Sequence, residues 1–130
     1  MANNVTNAYQ NPKTRYSDNE LEEFRVLIEQ RKAKSMEKLS FFLAQISEHA
    51  DNTDSRLRTA DDSVGAVEIE RAHAQVSTER KFLTSLDNAL SRIHSKTYGI
   101  CRETGTLIPK ERLRAVPHAT LSISAKLPQR

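Results

Sequence analysis

The sequence predicts a mainly α fold: a long antiparallel coiled-coil helical hairpin followed by a small globular head. Three observations predict it. Two apolar stripes recur at alternating three- and four-residue steps, a polar segment of about 15 residues separates them, and after Gly99 the pattern changes to short apolar runs broken by glycine and proline.

At 130 residues the chain holds one ordinary domain, or one elongated element with a small module, and is too short for a multidomain enzyme. Apolar residues make up 37%, charged residues 28%, and Trp is absent. That composition leaves little for a wide core and suits long solvated helices with narrow buried stripes. The net charge of +3 does not by itself argue for nucleic acid, but it is uneven along the chain. From Lys96 onward, Lys96, Arg102, Lys110, Arg112, Arg114, Lys126 and Arg130 stand against only Glu103 and Glu111, so the head is basic. A single cysteine excludes an internal disulfide framework. Residues 1–17 are polar, and the longest apolar-rich stretch, 39–46, is far shorter than a membrane span. A soluble, cytoplasmic protein with no membrane contact is expected.

Residues 1–15 form a polar arm that cannot bury enough surface to offset its ordering entropy. Ser17-Asp18-Asn19-Glu20 then reads as a capping box, with Tyr16 and Leu21 placed as a hydrophobic staple. The first helix is expected to run to about Ala50, with Leu21, Phe24, Ile28, Ser35, Leu39, Phe42 and Ile46 on one face. A polar tip follows over about 51–65, where Asp62 suits a helix N-cap. The second stripe is Ile69, Ala72, Val76, Glu79, Leu83, Leu86, Leu90 and Ile93, a coiled-coil seam with one charged position where Glu79 is expected to pair with a base. Two helices of about 30 residues, roughly 45 Å each, joined by a short connection favour antiparallel neighbours within one chain. Periodicity alone leaves an intermolecular coiled coil open. His49, His73 and His94 show no ligand spacing and are read as surface or seam residues.

The second helix is expected to stop at Gly99, which takes the left-handed conformation readily. The hairpin therefore spans 16–97, the head 98–127, and 128–130 form a tail. Within the head, Ile100 to Ile108 reads as a hairpin about Thr104-Gly105, Pro109 opens a short helix through Arg114, and Pro117 breaks the chain after Val116. A last helix is expected over about 119–126. Ile100, Leu107, Ile108, Leu113, Val116, Leu121, Ile123 and Leu127 are the expected miniature core, since so small a head cannot stand without packing or a staple.

Thr97-Tyr98-Gly99-Ile100-Cys101, Thr104-Gly105, Ile108-Pro109, Arg112-Leu113-Arg114-Ala115, Pro117, Ala119 and Leu121 together resemble the zinc-finger head of the DksA/TraR family of bacterial RNA polymerase-binding regulators. Leu21-x-x-Phe24-Arg25 and Glu79-Arg80-Lys81 extend the resemblance into the helices, so it covers residues 16–127. It implies a zinc-finger-like head in which two Cys-x-x-Cys pairs hold the metal. Projected onto this chain, those four positions are Cys101, Thr104, Ser122 and Ala125. Three of the four have lost their thiol, and hydroxyl or methyl groups do not replace thiolates in a tetrahedral zinc site. His118, a surface residue by this reading, adds at most a second donor. No metal and no other cofactor is expected.

The resemblance further implies that the hairpin enters the polymerase secondary channel with acidic residues acting at its tip. The matching acids are Asp61, Asp62 and Asp54, although the family's first tip aspartate falls on Arg58. Arg112, Arg114 and Lys126 are the residues expected to contact polymerase from the head. Of the positions the family uses for the alarmone ppGpp, Lys126 remains basic while Ser85 and Val116 do not. The expected protein is a monomeric transcriptional regulator with no sequence-specific DNA binding. The alternative is a non-catalytic coiled-coil adaptor or oligomerising protein. An enzyme is not expected, because no nucleophile–base pair, phosphate loop or metal cluster is visible.

Overall fold

The computed structural model describes residues 14–55 and 62–123. Two long helices, α1 (Asp18–Ser55) and α2 (Asp62–His94), form the helical hairpin, and a short α3 (Lys110–Ala115) lies in the head. Helix α1 continues past the expected end at Ala50, and α2 begins before Gly65. No glycine or proline stands between 51 and 55, so nothing in the chain stops the helix from propagating one more turn. The connection at 56–61, and with it Asp61, lies outside the described residues, as do the arm through residue 13 and residues 124–130.

The start of α1 is the capping box expected from Ser17 and Glu20. The Glu20 amide donates to Ser17 Oγ at 3.2 Å, and the Ser17 amide donates to Glu20 Oε1 at 2.8 Å. Tyr16 and Leu21, the staple pair, are both buried. Asp18 at the first helical position is held below the usual carboxylate range, chiefly by a hydrogen bond from Lys96 and then by Arg15.

The chain packs as two units, one made of Met1–Glu29 with Leu86–Arg130 and the other of Gln30–Ser85. In the second unit the seam buries Ser35, Ala72, Val76 and Glu79, with Leu39, Phe42, Ile46, Ile69 and Leu83 half-buried. Glu79 takes its hydrogen bond from the Ser35 hydroxyl at 2.5 Å, where a base was expected, while Arg31, Lys34 and Lys38 line the cleft beside it. A buried polar pair of this kind adds little net stability but penalises slipped registers, in which the carboxylate would face apolar side chains.

In the first unit Leu21, Phe24, Ile28, Leu86, Ala89 and Ile93 are buried. Ala89, absent from the expected stripe, is buried more deeply than Leu90. Helix α2 ends at His94, five residues short of Gly99. The stop is a Schellman motif: the Thr97 amide donates to the Arg92 carbonyl at 2.8 Å and the Lys96 amide to the Ile93 carbonyl at 3.1 Å. Lys96 itself takes the left-handed conformation, with φ 68. A residue with a Cβ is strained there by about 1 kcal/mol relative to glycine. Lys96→Gly should therefore be more stable than Lys96→Ala by about 1 kcal/mol in urea denaturation; both variants lose the ion pair to Asp18, so their difference isolates the backbone.

The head begins with a turn at Tyr98-Gly99 and a hairpin reduced to one bridge, Ile100 to Leu107. It is closed by Cys101 N–H to Thr106 C=O at 2.7 Å and Ile108 N–H to Gly99 C=O at 2.7 Å. Among the described residues no strand is longer than this bridge. Pro109 caps α3, and Val116, pushed off helical angles by the following proline, ends it at φ −129 and ψ 82. Residues 119–122 are not helical, so the last helix does not begin at Ala119.

The head's core differs from the expected list. Ile108 and Leu113 are fully buried, but Ile123 is 57% exposed, and the largest enclosed side chain is Tyr98. Leu127 lies outside the described residues. Tyr16, Phe24 and Tyr98 form a continuous aromatic set, with ring centroids 5.6 Å and 5.3 Å apart. Their edge-on and tilted geometries are those aromatic quadrupoles favour. The phenols find backbone acceptors: Tyr16 donates to the Ile108 carbonyl, and Tyr98 to the Pro117 carbonyl at 2.8 Å.

Candidate functional site

The feature of the head with the most chemistry around it is Cys101. It follows the Ile100 bridge directly and enters a tight turn in which the Gly105 amide donates to the Cys101 carbonyl at 2.8 Å. Gly105 accepts the left-handed φ of 74 that closes the turn. The sulfur is fully buried and accepts a hydrogen bond from the Ser122 amide at 3.3 Å. The Thr104 hydroxyl and the amides of Thr104 and Glu103 also bear on it. The Thr104 hydroxyl, aided by these amides, draws the thiol down to about 6 against the opposing effect of burial, so the thiolate is the main form at neutral pH.

Neighbouring contacts tie the segment after Pro117 to the turn. Arg102 N–H donates to the Thr120 carbonyl at 3.0 Å, and Arg112 Nε to the Leu121 carbonyl at 3.0 Å. Arg112, one of the residues expected to contact polymerase, is half-buried, and its guanidinium braces this loop. Arg114 is exposed. Lys110 meets Glu20 at 2.7 Å, which joins α3 to the first turn of α1 and raises the lysine's affinity for its proton.

Of the former ligand positions, Thr104 and Ser122 both bear on the Cys101 sulfur, the first through its hydroxyl and the second through its amide; Thr104 is exposed and also shares a 2.8 Å hydrogen bond with Thr106. Ala125 and Lys126 lie outside the described residues. His118 is half-buried rather than at the surface. Asp54 and Asp62 fall in the last turn of α1 and the first of α2, which places two of the three tip acids at helix ends. Sequence reasoning placed Tyr16 as a staple but missed the ring packing and phenol hydrogen bonds of Tyr16 and Tyr98, although the Tyr98-Gly99 pair was a visible signal.

The prokaryotic dksA/traR C4-type zinc finger matches residues 96–127. The RNA polymerase-binding transcription factor DksA of Caulobacter vibrioides is 34% identical over 72% of this chain and 61% of its own length. In solved structures, transcription factor DksA2 from Pseudomonas aeruginosa superposes over 92% of this chain and 84% of its own, with a TM-score of 0.71 and 25% identity. The hairpin and the head are thus matched together. In both head and hairpin this chain resembles the DksA/TraR family. General stress protein 16O of Bacillus subtilis is 42% identical over a shorter stretch, 37% of this chain and 29% of its own length. The chain spans about three fifths of the length of the DksA relative it matches, 61%.

The DksA/TraR head is described as a C4 finger, and the residues here do not fit one. Zinc in such a module takes four thiolates in a tetrahedron. This chain supplies a single thiolate at Cys101, with hydroxyls at Thr104 and Ser122 and a methyl at Ala125. Among the described residues no three His, Cys, Asp or Glu side chains are grouped to hold a metal. Also among the described residues, no helix is long and apolar enough to cross a membrane.

Proposed function

We propose that this chain is a non-catalytic, cytoplasmic transcription regulator that binds RNA polymerase by inserting its coiled-coil hairpin in the secondary channel. The observation that carries the reading is the joint match of hairpin and head to DksA2, a transcription factor, supported by the sequence relation to a DksA named for polymerase binding. The hairpin supplies two charged helices, with Asp54 in the last turn of α1, Asp62 at the first residue of α2 and Asp61 just before it in the sequence. Carboxylates there could act on a bound cation or on a basic wall of the channel. Arg112, Arg114 and Lys126 are the head residues proposed to meet an acidic polymerase surface; Arg112 also holds the loop that follows Pro117.

Purified core polymerase is expected to retain the full chain at micromolar concentration, and failure to do so removes the proposal. The double variant Asp61→Asn with Asp62→Asn should retain binding within about twofold yet lose most of the transcriptional effect, on the order of tenfold, as removing charge at an acting group does. Equal losses in binding and effect would show that these acids only anchor the hairpin.

A second reading, a coiled-coil adaptor or oligomerising protein, draws on exposed Met36, Phe41 and Val67 in the second unit. Sedimentation across a concentration series separates the two readings: a monomer at all concentrations excludes self-association.

A further inference from the structure

We propose that the head of this chain is closed by a hydrogen-bonded sulfur in place of a metal, with Cys101 Sγ as the acceptor that joins the turn at 101–105 to the segment at 119–122. The proposal concerns the head alone and stands whether or not the chain binds polymerase. In a C4 module the third thiolate sits at the position of Ser122, and two thiolates approaching each other need a cation between them. Here residue 122 brings its backbone N–H to the sulfur at 3.3 Å, so the attraction is direct and no cation is required.

Every polar group of Cys101 is then engaged. Its amide meets Thr106 and its carbonyl meets Gly105, while its sulfur takes the Ser122 amide. Both Cys101 and Ser122 are buried, which strengthens this contact relative to one in water.

The other ties reach the same segments. Arg102 N–H holds Thr120, Arg112 Nε holds Leu121, and Tyr98 Oη holds Pro117. Together these bonds fix the strand of chain after Pro117 at four successive points, 117, 120, 121 and 122, where a C4 finger uses ligands contributed by both knuckles. Burial of Ile108, Leu113 and Pro117 supplies apolar enclosure of the kind a metal otherwise makes up for in a small module.

The test uses the full chain, produced in zinc-supplemented medium and melted with near-ultraviolet circular dichroism, which reports the enclosed ring of Tyr98 together with Tyr16. Less than a tenth of an equivalent of zinc by atomic absorption, and the same melting temperature with and without a strong chelator, are expected. Stoichiometric zinc, or a melting temperature that falls with chelator, overturns the proposal. Cys101→Ala should lower the melting temperature equally in both conditions. It should also speed hydrogen exchange at the Ser122 amide at least tenfold relative to the parent. An unchanged melting temperature and exchange rate in this variant would overturn the role given to the sulfur. If Cys101→Ala does not fold, the zinc content and chelator response of the parent decide metal independence, and Cys101→Ser, which keeps a shorter and weaker acceptor, replaces it in the exchange measurement.

Discussion

Gly99→Ala is expected to destabilise the head by roughly 2–5 kcal/mol, because two separate costs fall on one methyl group. The first is conformational: Gly99 has φ +81, where a side chain with a Cβ is strained. The second is steric. A Cβ built on Gly99 comes within 2.7 Å of two ring carbons of Tyr16 and 3.2 Å of a Leu113 methyl. Tyr16 cannot swing aside cheaply, since its ring packs on Phe24 and its hydroxyl is bonded to the Ile108 carbonyl. Leu113 is itself fully buried.

Gly105→Ala is the control that separates these costs. Gly105 has φ +74, nearly the same backbone state, but nothing lies within 4 Å of a Cβ there. That variant should lose only the conformational part, about 1 kcal/mol. Urea denaturation of both variants, followed by tyrosine fluorescence, measures the difference. Equal losses would show that the Tyr16 ring yields. The comparison matters because a domain's whole stability is only about 5–15 kcal/mol, so the larger loss is enough to unfold the head at modest temperature.

The same two glycines show what was legible in the sequence. The capping box at Ser17 and Glu20 could be read because its partners are three residues apart and its chemistry is local. The stripes could be read because helical period maps directly onto a buried face, and Ile28, Val76, Leu86 and Ile93 are buried where the period puts them. The end of α2 could not. Glycine is the usual residue for a helix stop, but Lys96 takes that position, and Gly99 is glycine for a tertiary reason: the ring of Tyr16, 83 residues away in sequence by subtraction, lies against it.

The site follows the same division. That three of four ligand positions had changed was visible residue by residue, and so was the choice of Cys101 as the remaining thiol. From position 122 the sulfur is met by a backbone amide, which every residue there except proline would carry, so no side chain at that position could announce it. Ile123 was expected inside on hydrophobicity alone and stands outside, while Tyr98 takes the interior. A tyrosine can do so only if its hydroxyl is satisfied, and its acceptor, the Pro117 carbonyl, is defined by the fold of the loop. Family resemblance carried the architecture further than residue-level reasoning did, because it encodes such tertiary pairings without stating them.

Tyr98→Ala is expected to cost roughly 3–5 kcal/mol, and Tyr98→Phe about 1–3 kcal/mol, which divides the residue's contribution between ring and hydroxyl. The ring is fully enclosed and packs at 5.3 Å from Phe24, so truncation leaves a cavity between α1 and the head segment of the same unit. Removing only the hydroxyl leaves the Pro117 carbonyl without this donor in a buried place. The two variants also differ in how they respond to alkali. Burial pushes the Tyr98 phenol well above its ordinary value of 10.0, so the folded state favours the neutral form. The stability this contributes is fully present below that ordinary value and is lost as pH rises beyond it, because the unfolded chain ionises first. Tyr98→Phe should therefore lose stability at neutral pH yet fall less steeply than the parent as pH is raised above about 10. Denaturation midpoints at neutral and alkaline pH test both statements together. Parallel curves for parent and variant would mean that the hydroxyl reaches water in the folded state, and the hydrogen bond to Pro117 would then no longer account for the burial of Tyr98.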